Sequence, residues 1–316
     1  MPEWRIERGI GEVRYALIED GQIVEARIDL DELTRAGSVL PARLISAARR
    51  NAIAKDKGST EYLLPKGAGK VSEGSAITIE VTREAIPGSE PWKRPLARVT
   101  DATPAQARPI KGREVALPSP RDELGVAGWN DLIEQARSGV VQFAGGELRI
   151  SPTPAMTLID VDGYLPPDEL AVRGAAEAAK AIRRLDIGGS IGIDLPTAGS
   201  KGARHAAAAA IDEHLPQPFE RTAVNGFGFV QIVRPRVRAS LVELAQDRAS
   251  FEARALLRRA AFEPPGPKCI VAHPAVIAVL EGHPEWLEAL SRQVGGTVGL
   301  RADANLPISG GYAESR

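Results

Sequence analysis

The sequence predicts an α+β protein, and three observations indicate this class. Alternating apolar residues form strand-like pairs near residues 13–30 and 140–150. Short strand-like runs between residues 40 and 99 are separated by glycines, which is typical of a small barrel such as an OB-fold. Apolar strands at residues 158–163 and 191–195 flank an alanine-rich helix, an order that favours neighbouring parallel strands in a mixed sheet.

Short strands make up the first two predicted domains. Residues 1–36 are predicted to form an N-terminal hairpin that packs on the later core, with its turn at Glu19-Asp20-Gly21. Residues 37–100 are predicted to form the inserted OB-fold barrel. Its strand-like runs are residues 40–45, 52–54, 76–81 and 96–99. Glycines and the pair Pro87-Gly88 separate these runs and predict turns.

A linker and an α/β core are predicted next. Residues 101–139 are rich in proline and alanine, which is typical of a linker. Residues 140–240 are predicted to form the core with its mixed sheet. The main helix of this core is expected at residues 168–185, and Gly188-Gly189 is expected to end it, because glycine favours the left-handed conformation of a helix C-cap.

The last predicted region, residues 241–316, is a connecting helix followed by a small C-terminal α/β domain. The helix is expected at residues 241–261 with its arginines on the outer, solvated face. A β-α-α-β order follows it. The polar tail after Pro307 is expected to be loose.

Charge is distributed unevenly along the chain. The 316 residues carry a net charge of −1, which by itself gives no support for a polyanionic partner. This value is a cancellation: residues 1–35 hold nine acidic and five basic side chains, whereas residues 40–100 hold eleven basic and six acidic ones. Residues 221–260 hold eight basic and three acidic side chains. The two basic zones are either binding surfaces or ordinary solvated faces, and charge alone leaves both interpretations open.

The single cysteine and the lack of long apolar segments limit the possible metal sites and the expected cellular compartment. Cys269 is the only cysteine, so a disulfide within the chain and a cysteine-based zinc site are both excluded. The sequence starts without an apolar leader, and its apolar runs are far shorter than the roughly 20 residues that a membrane span needs. We therefore expect a cytoplasmic protein with no membrane partner.

The chemistry-bearing candidates are three carboxylates in apolar strands. Alternation places Asp160 and Asp162 on one strand face, and Asp194 ends the next apolar strand. Facing a core, such charges are costly and raise one another's pKa unless a cation lies among them. Oxygen ligands without nearby histidine or cysteine suit Mg²⁺ or Mn²⁺. The alternative is that they are strand-end caps or partners of Arg183 and Arg184.

One catalytic motif is excluded. Residues 188–192 match G-x-S-x-G, but a nucleophile elbow requires the order strand, turn, helix. Here the predicted order is helix, turn, strand, so Ser190 is not expected to be a hydrolase nucleophile.

Motifs across about residues 155–240 resemble the catalytic core of the ribonuclease E/G family. Residues 158–162, Leu-Ile-Asp-Val-Asp, resemble the family's I-D-I/V-N strand. Residues 183–194 resemble its L-R-x-L-G-G-x-I-x-I-D-F segment, and Arg204-His205 matches a following Arg-His pair. Residues 226–236 resemble its later G-L-x-E-x-T/S-R-x-R strand. The hairpin and the inserted barrel agree with the family's N-terminal layout.

The resemblance implies an endoribonuclease that cleaves single-stranded RNA with Mg²⁺, or Mn²⁺, and makes residues 140–240 the nuclease core. Asp160 and Asp194 fall on the family's two metal-binding, catalytic aspartates, and Asp162 falls on an asparagine that helps to hold the metal. Further residues are RNA-binding candidates, by matching position or by charge. They are Lys55, Lys57, Tyr62, Lys66, Lys70, Lys201, Arg204, Arg234 and Arg236.

The departures from the family pattern are as informative. The cysteines of the family's zinc link are absent, so we expect no zinc and a monomer or zinc-free homodimer. Only residues 100–140 occupy the interval of the 5′-monophosphate sensor, so we expect weak or no dependence on the RNA 5′ end. Gln231 and Gly226 replace an expected glutamate and arginine, and the barrel's stacking phenylalanines are missing, with Tyr62 the nearest ring. These departures keep a second reading open, a non-catalytic RNA-binding protein that retains the fold.

Overall fold

A computed structural model describes residues 2–87, 93–197 and 199–315. The α+β class is confirmed: the described residues contain eight helices and several sheets, one of which closes into a five-stranded barrel. Gly88 of the predicted Pro87-Gly88 turn lies outside the described residues. Among the described helices, none combines the length and apolar character that crossing a membrane requires.

The elements are numbered along the chain. The strands are β1 (Glu3–Arg8), β2 (Glu12–Glu19), β3 (Gln22–Leu30), β4 (Val39–Ser46), β5 (Ala52–Lys55), β6 (Glu61–Leu64), β7 (Ala76–Arg83), β8 (Leu96–Val99), β9 (Arg113–Val115), β10 (Val140–Phe143), β11 (Gly146–Pro152), β12 (Thr157–Gly163), β13 (Gly189–Asp194), β14 (Glu220–Arg221), β15 (Phe229–Arg234), β16 (Lys268–Ala272), β17 (Val298–Ala302) and β18 (Tyr312–Ser315). The helices are α1 (Glu123–Val126), α2 (Trp129–Ser138), α3 (Pro167–Arg184), α4 (Lys201–His214), α5 (Leu241–Leu244), α6 (Arg248–Ala261), α7 (Pro274–Glu281) and α8 (Pro284–Val294).

The described chain divides into two compact units. The first unit comprises the described residues of Met1–Glu32, Lys111–Ser138 and Leu244–Arg316. The second unit comprises those of Leu33–Ile110 and Gly139–Glu243.

In the first unit, the predicted hairpin is strands β2 and β3. Its turn residues Asp20 and Gly21 have φ of 50° and 80°, the left-handed pair that a tight hairpin turn requires. Strands β1 and β9 extend this sheet in the order β3-β2-β1-β9. The tail is not loose as expected, because β18 pairs antiparallel with β16, which runs parallel to β17 on its other side.

The connecting helix differs from its prediction in two ways. It breaks into α5 and α6, and the Asp247 side chain accepts a hydrogen bond from the Ser250 N–H at the start of α6. The prediction of arginines on a solvated face was wrong: Arg254 and Arg258 are only 6% and 4% exposed. Arg258 is buried because carboxylates from distant segments surround its guanidinium.

In the second unit, the barrel closes in the order β4-β5-β6-β8-β7, an arrangement compatible with the expected OB-fold. Residues alternate between interior and exterior along each strand. Ala52 and Ala54 point inward from β5, and Tyr62 and Leu64 point inward from β6. The small alanines leave interior volume that the tyrosine ring fills.

The core of this unit also contains a six-stranded mixed sheet of order β10-β11-β12-β13-β15-β14. Its one parallel pair is β12 and β13, which α3 connects, as the sequence predicts. Alanines and Gly174 on α3 allow close packing, since a Cβ at Gly174 would clash with Val161 of β12. Helix α3 ends at Arg184, and the left-handed residue that follows is Asp186 with φ of 52°, not the glycine that was expected.

Candidate functional site

The parallel pair β12 and β13 brings two predicted carboxylates side by side. Asp160 and Asp194 are direct partners in the strand register. The two aspartates meet because the 18-residue helix α3 connects β12 to β13 and returns the chain to a position beside β12. Asp162 follows two residues after Asp160 and therefore lies on the same face of the sheet. The structure thus brings all three carboxylates together.

These carboxylates lie on the open face of the sheet and not, as the sequence argument assumed, toward a core. Asp160, Asp162 and Asp194 are exposed, whereas Ile159, Val161 and Ile193 beside them are buried. Alternation puts the apolar residues on the other face, where α3 packs. A folding penalty for burying charge is therefore small here, and the concentration of like charge is what distinguishes this face.

Sequence reasoning missed two charged neighbours on β11. Arg149 pairs with Asp160 across the β11–β12 ladder, and Glu147 pairs with Asp162. The carboxylate of Glu147 has its own partners, since it lies 2.6 Å from the Arg149 guanidinium and accepts a hydrogen bond from Gln142 at 2.6 Å. Alternation along a predicted β11 would have placed both residues on the face of the aspartates.

The electrostatics of the open face centre on Asp160. Partial desolvation by the neighbouring groups is the largest cause that holds the pKa of Asp160 above its ordinary value, although the side chain is exposed. The negative charges of Asp162 and Asp194 also raise this pKa, while Arg149 and a backbone hydrogen bond at Val161 lower it. Because the charges of Asp162 and Asp194 contribute to this shift, a cation close to Asp160 would offset their repulsion.

Two exposed aromatic rings lie beside this edge and were not predicted. Tyr164, which follows β12 directly, is 84% exposed, and Phe227 is 83% exposed. The loop that carries Phe227 is fixed to the end of β13, because Leu195 N–H donates to the Gly228 carbonyl at 3.2 Å. The Asn225 side chain further holds the loop by accepting from the Phe227 and Phe229 N–H groups. These rings could have been noticed in the sequence, because Tyr164 directly follows β12 and Phe227 lies two residues before the start of β15.

The floor beside Asp194 is apolar. A Cβ at Gly192 would contact the Phe229 ring and the Leu158 side chain, so these two groups meet above that glycine. Gln231, at the position of the expected glutamate, donates a hydrogen bond to Ser190 at 3.2 Å. Gly226, at the position of the expected arginine, faces open space.

The cations predicted around the core separate into two groups. Lys201 and Arg204 lie in the first turns of α4, which begins shortly after Asp194 ends β13. Ser200 caps this helix, and Asp168 accepts a hydrogen bond from the Ser200 hydroxyl. Arg234 instead pairs with Gly189 at the opposite end of β13.

Arg234 and Arg236 make contacts with the protein at that far end. Five residue steps, about 16 Å at the rise of a strand, separate Gly189 from Asp194. Arg234 donates to the Ile187 carbonyl at 2.9 Å, and Arg236 bonds to Glu243. Arg183 and Arg184 occupy the last turn of α3, which leads into this same end of β13.

Tyr62 does not lie on the barrel surface, so its prediction as an RNA-contacting ring was wrong. The residue is 0% exposed, and its hydroxyl bonds to Thr34 and Asp56 at 3.1 Å each. Burial is the largest cause that raises its pKa. The ring is core because β6 turns Tyr62 and Leu64 inward, an alternation that the sequence already contained.

The predicted barrel lysines fall near opposite ends of the β5–β6 pair. Lys55 and Lys57 lie at the β5–β6 turn, whereas Lys66 follows the other end of β6, with Lys70 further along the same connection. Missed by the sequence argument, Arg49 and Arg50 lie at the Lys66 end, where Asn51 N–H donates to the Pro65 carbonyl. The cations of residues 40–100 therefore do not lie at one place: Lys57 and Lys66 are exposed at opposite ends of the β5–β6 pair, and Arg94 and Arg98 form ion pairs with Glu61 and Glu80.

The donor chemistry of the open face fits a hard divalent cation, since Mg²⁺ and Mn²⁺ prefer carboxylate oxygens. Within residues 2–87, 93–197 and 199–315, no three histidine, cysteine, aspartate or glutamate side chains are grouped so that they could hold a metal ion as placed. The exposed aspartate side chains have room to change rotamer. Residue chemistry and register therefore support a cation site, but the side-chain positions do not form one.

No protein-family model matches the chain, and no curated protein matches it.

Proposed function

We propose that the chain is an endoribonuclease that cleaves single-stranded RNA with the help of a divalent cation, on a fold resembling that of the ribonuclease E/G family. One observation carries the proposal: Asp160 and Asp194 are register partners on the parallel strands, with Asp162 on the same open face. Folding gives no reason to keep three like charges together. A site for a cation and a phosphodiester does.

The proposal gives each carboxylate a role. Asp160 and Asp194 would be the main carboxylates that hold Mg²⁺ or Mn²⁺, and Asp162 would add a further carboxylate to the site. When bound, such a cation activates water and stabilises charge on a phosphodiester. Arg149 is the register partner of Asp160 and forms an ion pair with Glu147, so it would add positive charge beside Asp160 and attract the RNA phosphate.

The surroundings of the carboxylates suit a flexible strand of RNA. Tyr164 and Phe227 offer exposed ring faces to unpaired bases, and such stacking is worth about 1–3 kcal/mol per base. Lys201 and Arg204 at the start of α4 would contact phosphates without reading sequence. A base-paired strand keeps its bases stacked inside the helix, so this arrangement favours single strands.

A non-catalytic RNA-binding protein is the second candidate function. It is favoured by Gln231 in the position of the expected glutamate, where the side chain donates to Ser190 and supplies no carboxylate. Against it, a protein that only binds RNA gains nothing from three carboxylates where phosphates would lie. We therefore rank catalysis first.

The experiment compares binding and cleavage on one labelled, AU-rich single-stranded RNA. With Mg²⁺ we expect internal cleavage products, and with a chelator we expect binding without cleavage. Binding in both conditions with no cleavage in either would establish the second candidate instead. RNAs carrying a 5′ monophosphate or a 5′ hydroxyl should be cleaved at similar rates, and a strong preference for the monophosphate would contradict the expectation of a missing sensor.

A further inference from the structure

A small cavity in the first unit is lined by arginines and is remote in sequence from the carboxylate strands. It has a volume of about 140 Å³ and lies between α2 and α6. Its lining residues are Trp129, Asn130, Ile133, Arg137, Ala255, Arg258 and Arg259. Every charged residue among them is an arginine.

Two of these guanidinium groups already have carboxylate partners. Arg137 donates to both oxygens of Glu252, at 2.5 and 2.9 Å. Arg258 donates to both oxygens of Glu7 and to both oxygens of Asp122, at 2.6 to 3.1 Å. Bidentate pairs of this kind fix the orientation of the two arginines, so they form a rigid part of the cavity wall.

Arg259 differs from its neighbours. In the part of the chain that the structure describes, its guanidinium donates one hydrogen bond, to the Gly311 carbonyl at 3.1 Å, and forms no ion pair with a carboxylate. Burial lowers the pKa of Arg259, and the nearby positive charge of Arg137 lowers it further, with Glu252 only partly offsetting them. A partly desolvated guanidinium with one hydrogen bond and no direct ion pair is unfavourable, and an anion in the cavity would relieve this cost.

We infer that this cavity binds a phosphate-type oxyanion through Arg259, either as inorganic phosphate or as the phosphate group of a small monoester. The volume matches this class, because one water occupies about 30 Å³ and drug-sized ligands need about 300–1,000 Å³. Arg259 on α6 and Asn130 on α2 both line the cavity and supply donor groups for one tetrahedral ion, while the carboxylate-paired Arg137 and Arg258 complete its wall. This site is independent of the proposed cleavage of RNA.

The test is calorimetric titration of the full chain with sodium phosphate, at constant ionic strength kept with sodium chloride. We expect saturable binding by the wild-type protein, at least tenfold weaker in Arg259→Gln. Arg292→Gln removes the same charge from an exposed position on α8 and should bind as the wild type does. Ala255→Leu fills the cavity without changing charge and should also bind at least tenfold more weakly, which provides a second variant should Arg259→Gln fail to fold.

A second titration with glycerol 3-phosphate distinguishes the two sources. Binding of phosphate alone identifies the free ion as the ligand, and binding of both identifies the phosphate group in general. The proposal is overturned if the wild type shows no saturable binding of either, or if Ala255→Leu and a folded Arg259→Gln bind within twofold of the wild type. It is also overturned if Arg292→Gln weakens binding as strongly as Arg259→Gln does.

Discussion

The two units of the molecule each contain a cluster of charged side chains, and the clusters are built on opposite principles. In the first unit, Glu7, Arg14 and Arg258 are 0%, 1% and 4% exposed, and Glu7 accepts from both arginines at 2.8 Å. In the second unit, Asp160 and Asp194 are exposed and have a like charge as register partner. The charges of the first cluster are buried and form ion pairs, whereas those of the second are exposed and repel one another.

We interpret this difference as one between charge that stabilises the fold and charge that serves the proposed function. The buried cluster joins β1 to α6 and, through Asp122, to the start of α1, so folding itself explains why its charges are present. In the open cluster, desolvation raises the pKa of Asp160 and the charges of Asp162 and Asp194 raise it further, so folding does not explain why three like charges share this face. We expect substitutions in the first cluster to change stability and substitutions in the second to change activity.

Removing Arg258 should have the largest effect on stability. In Arg258→Leu, Glu7 would keep only Arg14 as a partner and Asp122 would lose its guanidinium, so we expect a loss of about 3–5 kcal/mol in the free energy of unfolding. Denaturant unfolding measures this value. Arg292→Leu on the exposed face of α8 is the control and should change it by less than about 0.5 kcal/mol. Equal effects of the two substitutions would contradict the structural role.

The exposed rings of the second unit should show the opposite behaviour. Tyr164→Ala and Phe227→Ala should each weaken RNA binding in chelator by about 1–3 kcal/mol, because a stacked base loses its platform. The free energy of unfolding should change by less than about 0.5 kcal/mol, since both rings are exposed. Tyr312→Ala, an exposed tyrosine of the first unit, is the matched control for fluorescence-anisotropy titrations. Unchanged affinity in both variants would remove the rings from the site.

A smaller effect is expected on the stability of the fold at low pH, through the ionisation of Asp122. Burial of Asp122 acts to raise its pKa, but hydrogen bonds from Arg258 and from Gly125 N–H outweigh it and hold the pKa below the ordinary 3.8. A carboxyl whose pKa is lower in the folded state stabilises the fold above its unfolded pKa and loses this contribution as the pH falls through the folded pKa.

Urea unfolding at a series of pH values measures this contribution. The stability difference between wild type and Asp122→Asn should be constant above about pH 5 and shrink as the pH falls below about 4. A difference that stays constant, or grows, toward acid would contradict the paired state of Asp122.

Local sequence patterns predicted the elements that build the candidate site. The helical periodicity of α3 and the apolar strands on either side of it were sufficient to predict that Asp160 and Asp194 lie side by side. A short connection between two strands allows few other strand arrangements. The alternation of residues along β6 also indicates that Tyr62 points inward. The prediction of this ring as an RNA contact did not take that alternation into account.

Long-range pairing set what the sequence could not predict. Arg258 is buried because it pairs with Glu7 and Asp122. These partners lie 251 and 136 residues away along the chain, and the periodicity of a helix carries no information about residues so distant. Strand β18 likewise forms because it pairs with an edge of β16. The polar composition of the tail does not indicate that such a partner strand is present.

The most direct measurement of the central claim is the rate of Mg²⁺-dependent cleavage of single-stranded RNA by wild type, Asp160→Asn, Asp194→Asn and Asp101→Asn. Asp101 is an exposed aspartate in the same unit and provides the matched control. The account predicts that Asp160→Asn and Asp194→Asn each lose at least about 100-fold in rate, worth about 2.7 kcal/mol in transition-state stabilisation, while RNA binding and folding persist. Asp101→Asn should cleave as the wild type does. Cleavage at the wild-type rate by both Asp160→Asn and Asp194→Asn, or no Mg²⁺-dependent cleavage by the wild type, would contradict it.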